Sequence, residues 1–248
     1  MKKIGITGQA GFVGNHLYNT LSLDETITLV PFERSFFGNN ELLSNFVAEC
    51  DAIVHLAAMN RHDDPNVIYE TNIDLVSQLI TACKEKSAKP HIIFSSSSQE
   101  EKDNLYGRSK KEGKEKFIQW AQEEGSKFTS LTIPNVFGPF GKPNYNSVVA
   151  TFCHKIAHNE NPTIINDSEV GLIYINELVE IFIQSIKDPE KVGLPDGNIR
   201  ELKIAPTKNI KVSEILSLLQ QYKTDYMENG IFPNLDMDFE KALFNTFR

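Results

Sequence analysis

A glycine-rich loop near the start of the chain constrains the fold more than any other stretch. Its residues are Thr7-Gly8-Gln9-Ala10-Gly11-Phe12-Val13-Gly14, between a short apolar run and a predicted helix that ends near Leu21. In a strand–loop–helix unit, Gly-x-x-Gly-x-x-Gly allows a tight turn and brings backbone N–H groups close to a diphosphate. An ordinary glycine-rich turn is the alternative, but the spacing favours a dinucleotide-binding loop. We expect the contacts to come from Thr7, Gly8, Gly11, Phe12, Val13 and Gly14.

A tyrosine and a lysine lie four residues apart in Tyr106-Gly107-Arg108-Ser109-Lys110. At the start of a helix, this spacing places the phenol and the ammonium on one face. Lys110 can then lower the pKa of Tyr106 and hold a cofactor ribose, while Tyr106 exchanges a proton with a substrate oxygen. The pattern is common by chance. Downstream of the glycine loop it predicts the catalytic pair of a nicotinamide-dependent oxidoreductase.

Strands and helices alternate through the first half of the chain. Strands are predicted over Thr26–Phe32, Asp51–Ala58, His91–Ser96 and Thr129–Ile133, and helices over Asn40–Glu49, Pro65–Lys86 and Tyr106–Glu124. This order predicts an α/β fold with a Rossmann-type doubly wound parallel sheet. Residues 35–50 have room for one helix only, so we expect the usual third strand at the sheet edge to be missing.

The regular alternation is lost after residue 134. Pro134–Pro139 is rich in turn-forming residues and is predicted to be a loop. Later helices are expected near Ser147–His158, Asn176–Lys187, Val212–Tyr222 and Asp236–Arg248, and short strands at Leu172–Ile175 and Glu201–Ile204. We therefore expect a single domain over residues 1–248. Residues 1–134 would form mainly the cofactor-binding core, and residues 135–248 the last strands with a small substrate-binding lobe.

The end of the second predicted strand bears on the choice of cofactor. An acidic residue there binds the adenosine ribose of NAD, whereas an arginine accommodates the 2′-phosphate of NADP. The chain offers both, in Glu33 and Arg34. Arg34 favours NADPH, because guanidinium and phosphate match in charge and geometry. NAD remains the alternative through Glu33.

Two further strand ends point to the same site. Leu56 and Ala57 end a buried strand, where a cofactor can lie against the backbone, whereas His55 is interpreted as a packed core histidine. Four serines, 95–98, end the next strand, and one of them could hydrogen-bond a reacting carbonyl. Asn72, on the helix between these strands, could face the site or make an internal hydrogen bond.

Composition excludes several classes of function. A net charge of −8 argues against a nucleic-acid partner, and the lysines between 110 and 116 alternate with glutamates as on a solvated helix face. The chain contains no apolar run long enough for a membrane span or a signal peptide. Its three cysteines are widely separated and lack paired histidines. We expect a cytoplasmic protein with reduced thiols and no metal site.

Five motifs in order resemble the extended short-chain dehydrogenase/reductase superfamily, in its nucleotide-sugar-modifying branch. They are Thr7-Gly8-x-x-Gly11-x-x-Gly14, His55-Leu56-Ala57-Ala58, Phe94-Ser95-Ser96-Ser97, Tyr106-Gly107-x-Ser109-Lys110 and Asn135-Val136-Phe137-Gly138-Pro139. The resemblance implies that Tyr106 is the acid/base and that Lys110 is its partner. It also implies that Ser97 orients the substrate oxygen and that Asn135 contacts the sugar.

A finer resemblance is to CapF-type enzymes of capsule and O-antigen precursor synthesis. It rests on the shortened second-strand region, the compact loop from Ser97 to Tyr106 and the segment Val170–Glu177. Such proteins join an N-terminal reductase domain to a C-terminal cupin domain, which we expect beyond residue 248. The resemblance implies NADPH-dependent reduction of the C4 ketone of a UDP-linked 4-keto-6-deoxy-N-acetylhexose, giving UDP-N-acetyl-6-deoxy-L-talosamine.

Two departures from related enzymes matter. Val170 stands where many relatives have an arginine for the nucleotide diphosphate, so that group must be bound elsewhere or more weakly. Ser98-Gln99 follows Ser97 in place of the Asp-Glu of 4,6-dehydratases, which argues against dehydration. The alternatives are an NAD-dependent C4 epimerase and a regulator that binds NADP without chemistry. Relatives often dimerise through helices beside the site, and we expect a homodimer.

Overall fold

A computed structural model describes residues 1–191 and 197–248 of the chain. The residues fall into two compact units. The first unit contains Met1–Ile133 and Val179–Ile204, and the second contains Pro134–Leu178 and Ala205–Arg248.

The regular elements are named in chain order. They are β1 (Lys2–Thr7), α1 (Phe12–Leu21), β2 (Ile27–Val30), α2 (Asn40–Glu49), β3 (Ala52–His55), α3 (Pro65–Glu85), β4 (His91–Ser97), α4 (Leu105–Glu124), β5 (Phe128–Ile133), β6 (Asn135–Phe137), α5 (Val148–Ala157), β7 (Glu169–Tyr174), α6 (Ile175–Lys187), β8 (Ile199–Lys203), β9 (Lys208–Lys211), α7 (Val212–Tyr222) and α8 (Asp238–Phe247). Short 3₁₀ turns cover Arg34–Phe36, Ser98–Glu101 and Pro189–Lys191, and a π-helical turn covers Lys223–Glu228.

The first unit is built on a six-stranded sheet in the order β2-β1-β3-β4-β5-β8. Every neighbouring pair in it is parallel. The predicted Rossmann-type α/β fold is therefore confirmed. The predicted gap at the sheet edge is also confirmed, because the chain passes from β2 through a 3₁₀ turn and α2 directly to β3, which pairs with β1. The carboxyl ends of β1, β3 and β4 consequently lie side by side.

The core of the first unit explains the long apolar runs. All four residues of β3 are buried, as expected for a strand covered on both faces. His55 is 1% exposed and stacks on Phe94, with ring centroids 5.9 Å apart. Its Nδ1 shares a 2.8 Å hydrogen bond with the hydroxyl of Thr7. Burial lowers the pKa of His55 to about 3, so the ring is neutral. The interpretation of His55 as a core residue is confirmed.

The second unit contains a three-stranded sheet in the order β6-β7-β9. Strand β6 runs parallel to β7, and β9 runs antiparallel to it. The prediction of a loop over Pro134–Pro139 is wrong for Asn135–Phe137, which form β6. Strand β9 was not predicted, because only Ile210 of its four residues is buried and the others are lysines and an asparagine. Strands β6 and β9 are both held by backbone pairing with β7. Neither sequence shows the alternation of apolar and polar residues from which a strand can be predicted.

Smaller differences have local causes. Strand β2 ends at Val30 and not at Phe32, because Pro31 has no N–H to donate to a sheet. All three cysteines are free, and all three are buried. None of the helices within residues 1–191 and 197–248 combines the length and apolar character needed to cross a membrane. The same residues contain no cluster of three or more His, Cys, Asp or Glu suited to a metal ion.

Candidate active site

Two positions of the glycine loop are too close to neighbouring backbone atoms to carry a side chain. Gly8 has φ of +78°, and a Cβ atom there would lie 2.8 Å from the backbone nitrogen of Ala57. A Cβ on Gly14 would lie 2.8 Å from Cα of Gln9 and overlap the Gly8 carbonyl oxygen. Helix α1 begins at Phe12 with Gly11 as its N-cap, and no side chain caps its first N–H groups. This cradle fits a dinucleotide diphosphate, which those donors would bind.

The ends of β1, β2 and β3 are joined around this loop. The N–H of Leu56 donates to the carbonyl oxygen of Thr7 at 3.1 Å, and the N–H of Ala57 donates to the Thr7 hydroxyl at 3.3 Å. Nε2 of Gln9 donates to the carbonyl oxygen of Phe32 at 2.8 Å. The glycine loop is therefore tied to both neighbouring strands at the edge where a cofactor would lie.

The two candidate specificity residues follow β2. Glu33 and Arg34 are both exposed, and Arg34 begins a 3₁₀ turn. The Ser35 hydroxyl donates to the Glu33 carboxylate at 3.2 Å. Both side chains can therefore reach a ligand at this edge, so the geometry leaves the choice between NADP and NAD to the chemistry of the two groups.

Tyr106 and Lys110 lie on successive turns of α4. The side chain of Asn104 caps this helix by accepting the N–H of Gly107 at 2.7 Å. Nζ of Lys110 is 5.9 Å from the centroid of the Tyr106 ring and 4.9 Å from that of Phe94. It donates to the carbonyl oxygen of Ser95 at 2.9 Å. Lys110 is 4% exposed, and this burial lowers its pKa to about 8, so it is still mainly protonated at neutral pH.

The serines at the end of β4 differ in how their hydroxyls are used. The Ser95 hydroxyl donates to the carbonyl oxygen of His55 at 3.1 Å, and the Ser96 hydroxyl donates to the carboxylate of Glu100 at 2.5 Å. The Ser97 oxygen instead accepts the N–H of Gln99 at 3.2 Å. That bond uses a lone pair, so the hydroxyl proton of Ser97 can be donated to a ligand.

Asn72 has an internal role. Its Oδ1 accepts the N–H of Met59 at 2.7 Å, and its Nδ2 donates to the carbonyl oxygen of Met59 at 2.9 Å and to the Ser109 hydroxyl at 3.0 Å. The Ser109 hydroxyl donates to the carbonyl oxygen of Tyr106 at 2.7 Å. Of the two alternatives for Asn72, the structure shows the internal one: it ties the loop after β3 to the first turn of α4.

The interpretation of the lysines in residues 110–116 as a solvated face is wrong for Lys110, which is 4% exposed, and for Lys114. Its side chain is 15% exposed and binds Glu100, which is 12% exposed, at 3.1 Å. Lys114 is one helical turn after buried Lys110 and lies on the same face of α4. That i, i+4 spacing is the sequence signal from which the partial burial of Lys114 could have been predicted. Glu100 has no comparable signal, because its partners come from three other elements. Lys111, in contrast, is exposed.

Comparison with known protein families agrees with the dinucleotide-binding geometry of the glycine loop and with the Tyr106–Lys110 arrangement on α4. Residues 4–199 match the NAD dependent epimerase/dehydratase family. The chain belongs to this family. Membership confirms the resemblance to extended short-chain dehydrogenases/reductases and the prediction of an NAD(P)-dependent enzyme.

Two relatives in this family resemble the chain over nearly all of its length. A UDP-2-acetamido-2,6-beta-L-arabino-hexul-4-ose reductase of Pseudomonas aeruginosa is 34% identical over 251 residues, covering 99% of this chain and 64% of that protein. The crystal structure of the capsular polysaccharide assembling protein CapF from Staphylococcus aureus shares 30% identity with a TM-score of 0.81, covering 99% of this chain and 64% of that one. The chain thus spans a little under two thirds of the length of both relatives.

A third structure shows how far the fold extends. RMD from Pseudomonas aeruginosa, solved in complex with NADPH, matches 100% of this chain and 98% of its own, with a TM-score of 0.83 and 18% identity. At that identity the match shows a shared fold. The CapF structure and the reductase together confirm the predicted resemblance to CapF-type proteins.

Two predicted positions of this family lie in the second unit. Asn135 is exposed, and its Nδ2 donates to the carbonyl oxygen of Gly171 at 3.2 Å. Val170 packs against the core of that unit and pairs with Ile210 across β7 and β9. The structure therefore places the apolar side chain of residue 170 within the sheet of the second unit.

Proposed function

We propose that this chain reduces the C4 ketone of a UDP-linked 4-keto-6-deoxy-N-acetylhexose with NADPH, giving a 6-deoxy-talosamine-type sugar for capsule or O-antigen precursors. The observation that carries the proposal is the buried ammonium of Lys110, fixed beside the ring of Tyr106. The relative named as a UDP-hexul-4-ose reductase supports the substrate class, because that protein is 34% identical to this chain.

The glycine cradle would hold the cofactor diphosphate, Arg34 the 2′-phosphate, and Lys110 with Tyr106 the ribose beside the nicotinamide. When bound, NADPH supplies a hydride. The preference for NADPH rests on the exposed Arg34 after β2, since a guanidinium fits a phosphate dianion in charge and in fork geometry. No metal is part of the proposed chemistry.

The residues of the chain would supply the proton and the charge stabilisation. As the ketone carbon gains a hydride, the C4 oxygen takes up the phenolic proton of Tyr106 and becomes a hydroxyl. The Ser97 O–H donates a hydrogen bond to the same oxygen while its negative charge develops. The protonated Lys110 stabilises the phenolate left on Tyr106. A bulk proton then restores the phenol.

The two residues directly after Ser97 favour reduction over elimination of water. Glu100 is held by Ser96 and Lys114, and Glu101 forms a 2.9 Å ion pair with Lys203. The 4,6-dehydratases of this superfamily have Asp-Glu directly after the catalytic serine or threonine. In this chain Ser98 and Gln99 follow Ser97. The acid and base that elimination needs are therefore absent from those two positions.

A second candidate is an NAD-dependent C4 epimerase, which exposed Glu33 favours because a carboxylate binds the ribose hydroxyls of NAD. A regulator that senses NADP without chemistry is the remote alternative. Burial of Lys110 argues against the regulator, since a buried cation destabilises a fold and persists mainly where chemistry requires it.

The UDP-sugar partner, the homodimer and a cupin domain beyond residue 248 belong to this proposal as well. The diphosphate of the sugar would be bound by groups other than residue 170.

The proposal is tested by releasing and measuring any nucleotide bound to the purified protein, and then titrating the protein calorimetrically with NADPH and NADH. A reductase that exchanges its cofactor should be purified without stoichiometric nucleotide and prefer NADPH. Stoichiometric bound NAD would support the epimerase.

A further inference from the structure

We propose that Glu100 and Lys114 act as a positioning pair, which fixes the Ser97 hydroxyl relative to the first turn of α4 and so relative to Tyr106. The inference rests on the proposed function, because Ser97 and Tyr106 are its reacting groups. Neither Glu100 nor Lys114 would touch the substrate. They would act through the short turn that follows Ser97.

One carboxylate holds that turn from three directions. Glu100 lies in the 3₁₀ turn Ser98–Glu101. Its Oε2 accepts the hydroxyl of Ser96 on β4 at 2.5 Å. Its Oε1 accepts Nζ of Lys114 on α4 at 3.1 Å and the hydroxyl of Thr132 on β5 at 3.4 Å. A displacement of the turn would break bonds to two strands and a helix.

The ammonium is shared with a more distant strand. Lys114 also binds the carboxylate of Glu201 on β8 at 2.9 Å, and the Glu201 side chain is 52% exposed. Burial alone lowers the pKa of Lys114, but hydrogen bonds and attraction to Glu201 and Glu100 outweigh it and raise the pKa. Lys114 is therefore charged at neutral pH. Only the Glu100 arm of this network reaches the turn.

The turn also presses directly against the catalytic helix. A Cβ atom on Gly107 would overlap the carbonyl oxygen of Gln99 and lie 3.2 Å from that of Lys102. Ser97 in turn accepts the N–H of Gln99. The backbone that orients Ser97 is therefore in contact with the residue after Tyr106.

Stability is a weak explanation for this ion pair. Replacing a buried ion pair by apolar groups of similar volume is often neutral or stabilising, because desolvation offsets much of the attraction. An oriented carboxylate with three donors, three residues after a catalytic hydroxyl, is better explained by the geometry it imposes. Misplacing a reacting group by about 1 Å can lower the rate about 100-fold.

The test is a double-mutant cycle between Glu100→Gln and Ser97→Ala. Glu100→Gln alone should lower kcat about 10- to 100-fold, with KM and NADPH affinity within about twofold of the parent. In the Ser97→Ala background it should cause no further loss. Losses that add, or an unchanged kcat in the single variant, would overturn the proposal. If Glu100→Gln does not fold, Ser96→Ala removes one of the bonds to the carboxylate and enters the same cycle.

Glu201→Gln is the matched control. It removes a carboxylate from the same ammonium without touching the turn, so kcat should stay within about twofold. An equal loss in Glu201→Gln would contradict the proposal. A crystal structure of Glu100→Gln gives a readout independent of turnover: the distance between Ser97 Oγ and Tyr106 Oη should change from the parent. If the parent fails to reduce any 4-keto sugar, the proposed function fails, and this distance still decides the positioning role.

Discussion

The ammonium of Lys110 donates a 2.9 Å hydrogen bond to the carbonyl oxygen of Ser95 and lies 5.9 Å from the centroid of the Tyr106 ring. The end of β4 and the catalytic helix are thus joined by a buried cation. A carbonyl dipole offsets burial less than a carboxylate would, so the pKa of Lys110 falls from 10.5 to about 8. In the proposed mechanism this cation would stabilise a phenolate on Tyr106, and its burial costs stability.

Lys110→Met should therefore stabilise the fold while abolishing turnover. Because the pKa of Lys110 is lower in the folded state, the penalty is fully present below about pH 8 and is relieved as pH rises toward 10.5. The fall of this pKa from 10.5 to about 8 limits the gain in the free energy of unfolding at pH 7 to about 3 kcal/mol. Urea unfolding of both proteins at pH 7 and pH 9.5 measures the gain, which should shrink by about 2 kcal/mol at the higher pH. A gain that does not depend on pH would show that charge burial is not its cause.

Tyr106→Phe should lower turnover by about 100- to 10,000-fold, since it removes the proton donor and little else. NADPH affinity and the free energy of unfolding should change little. Fluorescence titration and stopped-flow turnover separate the two effects. Tyr69→Phe is the matched control, because Tyr69 is a tyrosine of α3 whose hydroxyl bonds Glu112. Equal losses in both variants would contradict the assignment of Tyr106.

Arg34→Ala should weaken NADPH binding about 10- to 100-fold, as expected for the loss of hydrogen bonds to a charged phosphate. NADH binding should remain within about twofold. Glu33→Gln is the reciprocal variant and should leave NADPH binding unchanged. Calorimetric titration of the three proteins with both cofactors gives the result. Weaker NADH binding in Glu33→Gln, with Arg34→Ala neutral, would instead support NAD.

Much of the first unit could be predicted from sequence because its signals are local. Helix α1 follows from the glycine spacing, and β3 follows from an unbroken apolar run. The predicted site residues of this unit lie at the carboxyl ends of β1, β2, β3 and β4, in the glycine loop and the first turn of α1, or in the first two turns of α4, as the motifs imply. Their roles remain predictions for the experiments above.

What could not be predicted depends on contacts between distant residues. Strand β9 is lysine-rich and exists because its backbone pairs with β7. Glu100 looks like a surface glutamate in sequence, yet it is bonded to partners on β4, β5 and α4, and only 12% of its side chain is exposed. Asn72 shows the same limit, since the sequence allowed both a ligand contact and the internal bonds that the structure contains.

Gly107→Ala should destabilise the protein by about 1–3 kcal/mol, because the added methyl group overlaps the carbonyl oxygen of Gln99. Turnover should fall as well, since the turn that follows Ser97 must move. Gly113→Ala on the same helix is the control: its Cβ would meet Val76 at 3.2 Å and Phe94 at 3.5 Å. In Gly113→Ala the better helix propensity of alanine, worth about 1 kcal/mol, partly offsets this strain, so the control should lose less stability than Gly107→Ala. Thermal unfolding and turnover of both variants test this, and a neutral Gly107→Ala would show that the turn is not packed as described.

The central claim is net reduction of a sugar ketone, and isotope transfer tests it most directly. NADPH carrying deuterium at both C4 positions of the nicotinamide is incubated with the protein and a UDP-linked 4-keto-6-deoxy-N-acetylhexose, and the sugar product is analysed by mass spectrometry and NMR. We predict one deuterium at C4 of the sugar for each NADPH oxidised, and a rate of deuterium transfer about 100- to 10,000-fold lower with Tyr106→Phe. Interconversion of two UDP-sugars without NADPH oxidation or deuterium uptake would contradict the reductase and establish the epimerase.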